Sequence, residues 1–418
     1  MRILLVGAGG FIGRHLLDAL TLAGHSLVAT RRRPSPTPLP SVEWRCLDLL
    51  QPDGFAWPEG IELVINASGE LSTDAAQMQG LQHDGACALF ELARRHGAAV
   101  LQISTLGAGE HPDIPFLASK AEADRYLLNL GIPAVVLRPS LVVGPGGTSS
   151  EWLQRLSPWP LIPLLGNRAR LQPLHIDDLC AAVLALLRNW PAQPTLLPLV
   201  GTQALTQGEL LDVLRQAQGW RPARYLTVPE PLARLGAALG DHLGWQALNR
   251  QTLQLSQYDN LADPAALEQA CGYRAAPLAS RLQHWPQPAQ SLALALQRLV
   301  LLVLALIWLG TAVVCLGPGF DWGLRIMAEA GIDGLPARLA VIGGALLDGV
   351  LGLALLSRRW RSRALQAQIG LMLVYSLIIS LLLPHYWFDP YMALGKNFAV
   401  LLLSAWLLGL STSMTRHP

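Results

Sequence analysis

At 418 residues the chain is too long for one ordinary hydrophobic core and long enough for two or three domains. Hydrophobic residues make up 51% and charged residues only 14%. A typical soluble domain carries about 25% charge, so part of this chain is expected to sit in lipid. The formal net charge of +2 argues against a protein that grips nucleic acid electrostatically.

The first apolar run, Ile3–Val6, breaks at once into glycines. A secretory signal needs about 7–15 apolar residues there, so the first domain is expected to stay in the cytosol. Ile3–Val6, Leu27–Thr30, Leu63–Asn66, Val100–Ser104 and Ala134–Leu137 read as buried strands, with helical stretches Ile12–Ala23, Gln79–His96 and Leu117–Leu130 between them. That alternation predicts an α/β fold: a Rossmann-type, doubly wound parallel sheet. From about Ser140 to His284 the pattern loosens into Pro, Trp and long loops, as in a small substrate lobe of the same domain. The expected domain is 1–283, followed by a linker at 284–291.

Residues 292–418 differ in kind. Leu299–Phe320, Ala364–Pro384 and Asn397–Thr415 contain no charge, and Leu339–Ser357 contains only Asp348. Each approaches the roughly 20 residues that cross a ~30 Å hydrocarbon core, which predicts an all-α bundle of four transmembrane helices. The loop Arg358–Arg363 holds four arginines; Arg325, Arg338 and Lys396 mark the other two loops. The positive-inside rule places the arginine-rich loop in the cytoplasm, and with an even number of spans the N-terminal domain and the C-terminus join it. The expected location is the inner (cytoplasmic) membrane, multi-pass, with the lipid bilayer as partner. Asp348 is costly in lipid and is expected to face a partner or a polar pocket, with Gly343, Gly344, Gly349 and Gly352 allowing close helix approach. His385–Phe388 reads as an interfacial aromatic belt.

Gly7-Ala8-Gly9-Gly10-Phe11-Ile12-Gly13 leaves the first strand and opens the first helix. Gly7 permits the tight turn, Gly10 lets a pyrophosphate reach the backbone, and Gly13 lets helix and strand pack closely. In that context the segment predicts a dinucleotide site. Where an NAD-preferring site would end the second strand in a carboxylate, this chain has Arg31-Arg32-Arg33. Guanidinium groups suit a 2′-phosphate, so NADP(H) is favoured over NAD(H), with Arg31 and Arg32 as contacts. A solvated basic turn is the alternative. Five scattered cysteines form no Cys/His cluster, so no metal is expected.

The GxxGxxG spacing resembles the extended and atypical short-chain dehydrogenase/reductases, the NAD-dependent epimerase/dehydratase-like group. Further segments resemble that family in order. Cys46-Leu47-Asp48-Leu49 matches the segment whose Asp meets the adenine, implying cofactor contacts at Asp48 and Leu49. Asn66-Ala67-Ser68-Gly69 matches the turn lining the cofactor, and Ser104-Thr105 stands where the family carries its catalytic hydroxyl. Lys120 occupies the lysine position of YxxxK. Arg138-Pro139-Ser140 with Val143-Gly144-Pro145 matches the sixth-strand motif, and Gln172-Pro173-Leu174-His175-Ile176-Asp177-Asp178 a later one. The resemblance implies cofactor binding by Gly7, Gly10, Phe11, Ile12, Gly13, Ala67, Ser68, Gly69, Lys120 and Pro139, and catalysis by Ser104, Thr105 and Lys120. The subfamily resembled includes the nucleotide-binding accessory subunit of respiratory complex I, and the C-terminal quarter resembles the DoxX-like membrane domain.

One position departs from the pattern. The YxxxK tyrosine is Phe116, which has no hydroxyl to exchange a proton with a carbonyl or alcohol. Tyr126 lies ten residues on, about 15 Å along a helix, too far to substitute. His175, Asp177 and Asp178 read as a structural hydrogen-bonded loop. Two functions remain open. One is a membrane-anchored NADP(H) oxidoreductase acting on a lipid-soluble, quinone-like or isoprenoid substrate. The other is a non-catalytic NAD(P)H-binding assembly or sensing protein, with a membrane-protein partner.

Overall fold

A computed structural model describes residues 1–32, 42–52, 54–72, 74–165, 168–242, 249–357, 359–390 and 392–416. Arg33 and Arg358 lie outside the described residues. The chain forms two compact units, Met1–Ser291 and Leu292–Pro418.

The first unit opens with β1 (Arg2–Val6), α1 (Phe11–Leu22), β2 (Ser26–Arg31), β3 (Glu43–Cys46) and β4 (Leu63–Asn66). Then come α2 (Ala75–Gln79), α3 (Gly85–Arg95), β5 (Ala99–Ile103), α4 (Pro115–Leu128) and β6 (Ala134–Pro139). A single π-helical segment, Gly80–Asp84, joins α2 to α3. The rest runs β7 (Val142–Val143), α5 (Thr148–Leu156), β8 (Leu161–Leu164), β9 (Leu174–His175), α6 (Ile176–Arg188), β10 (Thr195–Leu199) and α7 (Gln207–Ala217). It ends with β11 (Arg224–Thr227), α8 (Glu230–His242), α9 (Arg250–Leu255), α10 (Ala265–Cys271) and α11 (Leu278–Arg281).

Among the described residues, seven strands form one parallel sheet in the order β10-β6-β5-β4-β1-β2-β3. Strand periodicity decides which helices cover which face. Ile3, Leu5, Leu63, Ile65, Leu101, Val135 and Leu137 point to one side, against Leu16 and Leu20 of α1 and Leu179, Val183 and Leu186 of α6. Leu4, Val64, Val100 and Val136 point to the other, against Leu89 and Phe90 of α3 and Leu127 of α4. Each such side chain contributes about 1.5–3 kcal/mol by leaving water. The chain reverses its winding between β1 and β4, which opens a crevice at the carboxyl ends of these strands.

All five expected strands form. The two edge strands, β3 and β10, are the additions. β3 (EWRC) is short and half polar, and β10 (TLLPL) contains Pro198. A proline has no N–H for a ladder and is tolerated at a sheet edge, so its presence hid the strand. The stretch from Ser140 onward is therefore not wholly a lobe, because α6 and β10 return to the sheet. The lobe has its own core, in which Ile162, Leu164, Leu210, Leu211, Leu214, Leu278, Leu282 and Trp285 pack together.

The second unit contains most of α12 (Pro288–Leu316), then α13 (Phe320–Glu329), α14 (Gly334–Leu356), α15 (Arg361–Leu382) and α16 (Ala393–Arg416). Pro288 opens α12, a position where its missing N–H costs nothing, so Pro288–Ser291 are helical rather than linker. The first expected span, Leu299–Phe320, is corrected at its end. Gly317-Pro318-Gly319 stops the helix at Leu316, and Phe320 begins a separate one. Among the described residues α12, α14 and α15 are long and apolar enough to cross a membrane, while α16 carries the shorter apolar stretch Leu394–Leu410. Trp308, Leu351, Leu355, Leu365, Met372 and Leu407 join four helices in one core. A Cβ at Gly352 would lie 2.9 Å from Leu309 Cγ, so this glycine sets the approach of α12 to α14. Asp348 is 7% exposed, and its Oδ1 has no hydrogen-bond partner.

Asp178, fully buried at the start of α6, fastens the lobe's last segment to the sheet. Its carboxylate accepts from Tyr273 Oη at 2.6 Å, Ala276 N at 3.2 Å and Arg281 Nη2 at 2.7 Å. Asp178→Ala should lower stability by about 3 kcal/mol, the low end for opening a buried pair because Arg281 can turn to water. The measurement is the unfolding midpoint of the detergent-solubilised protein.

Candidate cofactor and reaction site

Gly7 leaves β1 at φ +80°, and the N–H of Gly10 returns to the Gly7 carbonyl at 2.9 Å. Gly10 caps α1 with no side-chain hydrogen bond to the first-turn amides, and Gly9 and Gly10 are exposed. The helix start is thus left open to an anion. A Cβ on Gly13 would lie 2.1 Å from the Gly7 oxygen, so only glycine brings the helix this close to the turn. Phe11 and Ile12 pack against the sheet core, leaving their backbone for contact. These features fit a dinucleotide's phosphates.

At the end of β2 the Arg31 guanidinium stacks on the Trp44 ring, 3.7 Å from its centroid, and its buried Nε has no partner. Arg32 is exposed and 3.9 Å from the Glu70 carboxylate. Asp48 is half-buried, and its Oδ1 accepts from the Leu50 N–H at 3.0 Å, fixing the turn after β3; Leu49 is buried beside it.

The ends of β4 and β5 carry the densest polar cluster. The Ser68 hydroxyl donates to Asn66 Oδ1 at 2.6 Å, and Asn66 Nδ2 donates to Gln102 at 2.8 Å. Ala67 N–H donates to Val6 O at 2.9 Å, tying this turn to β1. Lys120, on α4 and 4% exposed, donates from Nζ to Ser68 O and to Ile103 O, each at 3.1 Å. A Cβ on Gly69 would stand 3.1 Å from that nitrogen. Burial pushes the Lys120 pKa down to about 8, opposed by the negative charge of Asp124. Two of the ammonium's three donors are engaged, leaving one.

One turn along α4, Asp124 is 1% exposed and accepts from Ser104 Oγ at 2.7 Å and from Arg138 Nε at 2.9 Å. Burial raises its pKa, while Ser104, Arg138 and Lys120 oppose the rise. The Ser104 hydroxyl is therefore committed to Asp124. Thr105 is half-buried, with its hydroxyl 3.4 Å from the Leu106 carbonyl. Phe116 lies in the first turn of α4, one turn before Lys120. Pro139 is buried at the end of β6, accepting from Leu106 N. Next to it Ser140 Oγ donates to Asn260 Oδ1 at 2.7 Å, so the lobe meets the sheet at this point.

His175 caps α6, accepting from Asp177 N at 3.3 Å. Burial lowers its pKa, so the ring is neutral, and its buried Nε2 has no partner. With Asp178 committed to Arg281, this segment serves the architecture. Trp44, Asp124 and Asn260 were not singled out from the sequence. Asp124 could have been found from its helical spacing, four residues after Lys120.

Residues 3–195 match the NAD dependent epimerase/dehydratase family, and residues 305–405 match the DoxX-like family. The first unit therefore carries an epimerase/dehydratase-family domain and the second a DoxX-like domain. Among relatives, the ceramide reductase of Caulobacter vibrioides (strain NA1000 / CB15N) is 28% identical over 258 residues, covering 59% of this chain and 78% of its own. Mitochondrial NADH dehydrogenase [ubiquinone] 1 alpha subcomplex subunit 9 of Dictyostelium discoideum is 26% identical; the match covers 50% of this chain and 61% of that protein. Photosystem II assembly factor Ycf39 of Synechocystis sp. is 23% identical, covering 59% and 76%. UDP-glucuronic acid 4-epimerase from Bacillus cereus, solved with UDP-glucuronic acid and NAD, shares the fold at a TM-score of 0.53 and 18% identity, covering 68% of this chain and 97% of that one. The chain is a membrane protein with an NAD(P)-binding, epimerase/reductase-like domain.

Adding one methyl at Gly13 should cost at least about 100-fold in nucleotide affinity, some 3 kcal/mol. At Gly9, where a Cβ meets nothing within 4 Å, alanine should leave affinity nearly unchanged. Titration calorimetry on the two purified variants distinguishes them.

Proposed function

We propose that the protein is a membrane-anchored, NADP(H)-dependent oxidoreductase that interconverts a carbonyl and an alcohol on a lipid-soluble molecule. The observation that carries this reading is Lys120. It is buried, held by two strand-end carbonyls, has its pKa pushed down to about 8 by that burial, and keeps one donor free. A bound nicotinamide supplies or takes the hydride. Lys120 takes the part for which Phe116 has no hydroxyl: its ammonium donates a proton to the oxygen as the carbonyl becomes an alcohol, and water refills it. Asp124 keeps the neighbouring charge balanced, with Ser104 and Arg138 positioning it.

The NADP(H) preference is supported by two guanidinium groups at the end of β2, one of them held flat on Trp44. A lipid-soluble substrate, ceramide-like, quinone-like or isoprenoid, is supported by the apolar spans and by the relative named a ceramide reductase. A tether confines enzyme and membrane-borne substrate to one surface and raises their effective concentration. The arginine-rich loop before α15 supports a cytoplasmic first unit and C-terminus in an inner membrane.

A second reading, a non-catalytic NAD(P)H-binding assembly or sensing protein with a membrane-protein partner, is favoured by Phe116 and by the engaged Ser104 hydroxyl. Relatives named as a complex I subunit and a photosystem assembly factor also support it. Turnover in proteoliposomes separates the two. With NADPH and long-chain carbonyl lipids, the reductive rate should fall about tenfold per pH unit above a pKa of about 8, because the donor is then deprotonated. Alcohol oxidation should rise through the same range. Lys120→Met should lower kcat by roughly 100-fold, and Phe116→Tyr should raise it. Tight nucleotide binding without turnover for any substrate, in wild type and in Phe116→Tyr alike, would establish the second reading.

A further inference from the structure

The lobe carries an apolar surface that the cofactor site does not use. Helix α8 buries Ala233, Ala237 and Gly240 inward, against Leu253 of α9 and against Leu165 and Val228. Its opposite face presents Leu232, Leu235 and Leu239, at 59%, 60% and 52% exposed. Their spacing of three and four residues stacks them in one stripe along the helix. The paired strands β8 and β11, the second of which leads directly into α8, add Leu161 at 49% and Leu226 at 54% exposed. A stripe of three exposed leucines along one helix face is uncommon on a protein facing only water.

Two further observations indicate what covers it. This lobe is covalently continuous with α12, one of the helices able to cross a membrane, so a bilayer surface is always within reach. The charges are also biased: Glu230 is paired with Arg234 and Asp241 with Arg250, whereas Arg224, on β11 opposite Leu161, takes part in no ion pair among the described residues. An exposed apolar helix face, with an unpaired arginine on the strand that leads into it, suits an anionic lipid surface.

We infer that α8 and the β8–β11 edge dock on the bilayer, with Leu232, Leu235 and Leu239 at the boundary between headgroups and acyl chains. α9, packed on α8, sends Gln251 Nε2 to the Ser72 carbonyl at 3.1 Å, in the segment that follows the cofactor-lining turn. The docking itself does not depend on catalysis.

The test uses the full chain with p-benzoylphenylalanine replacing Leu235, or replacing Leu22 at the end of α1, which is 89% exposed. Both sites are exposed, so neither replacement disturbs a core. Each variant is reconstituted into phosphatidylethanolamine/phosphatidylglycerol vesicles, irradiated and analysed by mass spectrometry. The expected result is phospholipid adducts at position 235 in at least tenfold higher yield than at position 22. Equal yields at the two positions would overturn the inference. So would adducts at 235 to protein, whether a second copy or the same chain.

Discussion

The polar cluster at the ends of β4 and β5 depends on one buried lysine. Lys120 holds the ends of β4 and β5 together through two backbone carbonyls, and it does so from a position almost without water. A charge in such a place is costly unless its surroundings answer it. The answer is Asp124 on the same helix, which Ser104 and Arg138 hold in turn from β5 and β6. Three strands and one helix are thus registered by a single polar network, and the cofactor crevice opens above it.

The two units solve opposite solvation problems. In the first, apolar strands are sandwiched between helices so that polar strand ends can be concentrated on one edge of the sheet. In the second, much of the outward surface is apolar, and some polar groups are bonded between helices. Gln368 donates to the Leu351 carbonyl and Asn397 to Ser376. Asp348 Oδ1 is buried with no hydrogen-bond partner, as are Trp308 Nε1, Gln368 Oε1 and Ser404 Oγ, so the buried polarity of this unit is only partly answered from within.

The central strands were legible because each is a short apolar run between clear breakers, and Gly7, Gly10 and Gly13 follow from the backbone they must allow. The edges were less legible, since β3 is half polar and β10 contains a proline. In the membrane unit apolarity alone located the helices, but their ends were set by local chemistry, as Gly317-Pro318-Gly319 shows. At the site, sequence spacing placed Lys120 and exposed the loss at Phe116. It could not show that the Ser104 hydroxyl turns away toward Asp124, because that depends on a contact between residues twenty positions apart. The stacking of Arg31 on Trp44 is likewise a product of strand pairing, in which Ala29 faces Trp44 and Arg31 faces Cys46.

The path of the chain between sheet and lobe has a consequence for how the protein can be taken apart. After β6 the backbone enters the lobe, returns to the sheet for α6 and β10, then leaves again for α7 and β11, and the Asp178 clamp fastens the far end. A lobe sewn in by repeated passes cannot be exchanged for another as a cassette without unpicking the sheet itself. The membrane unit, by contrast, is attached by one passage of backbone at Ser291. A cut there falls inside α12, so separating the two units means dividing a helix and not a loop.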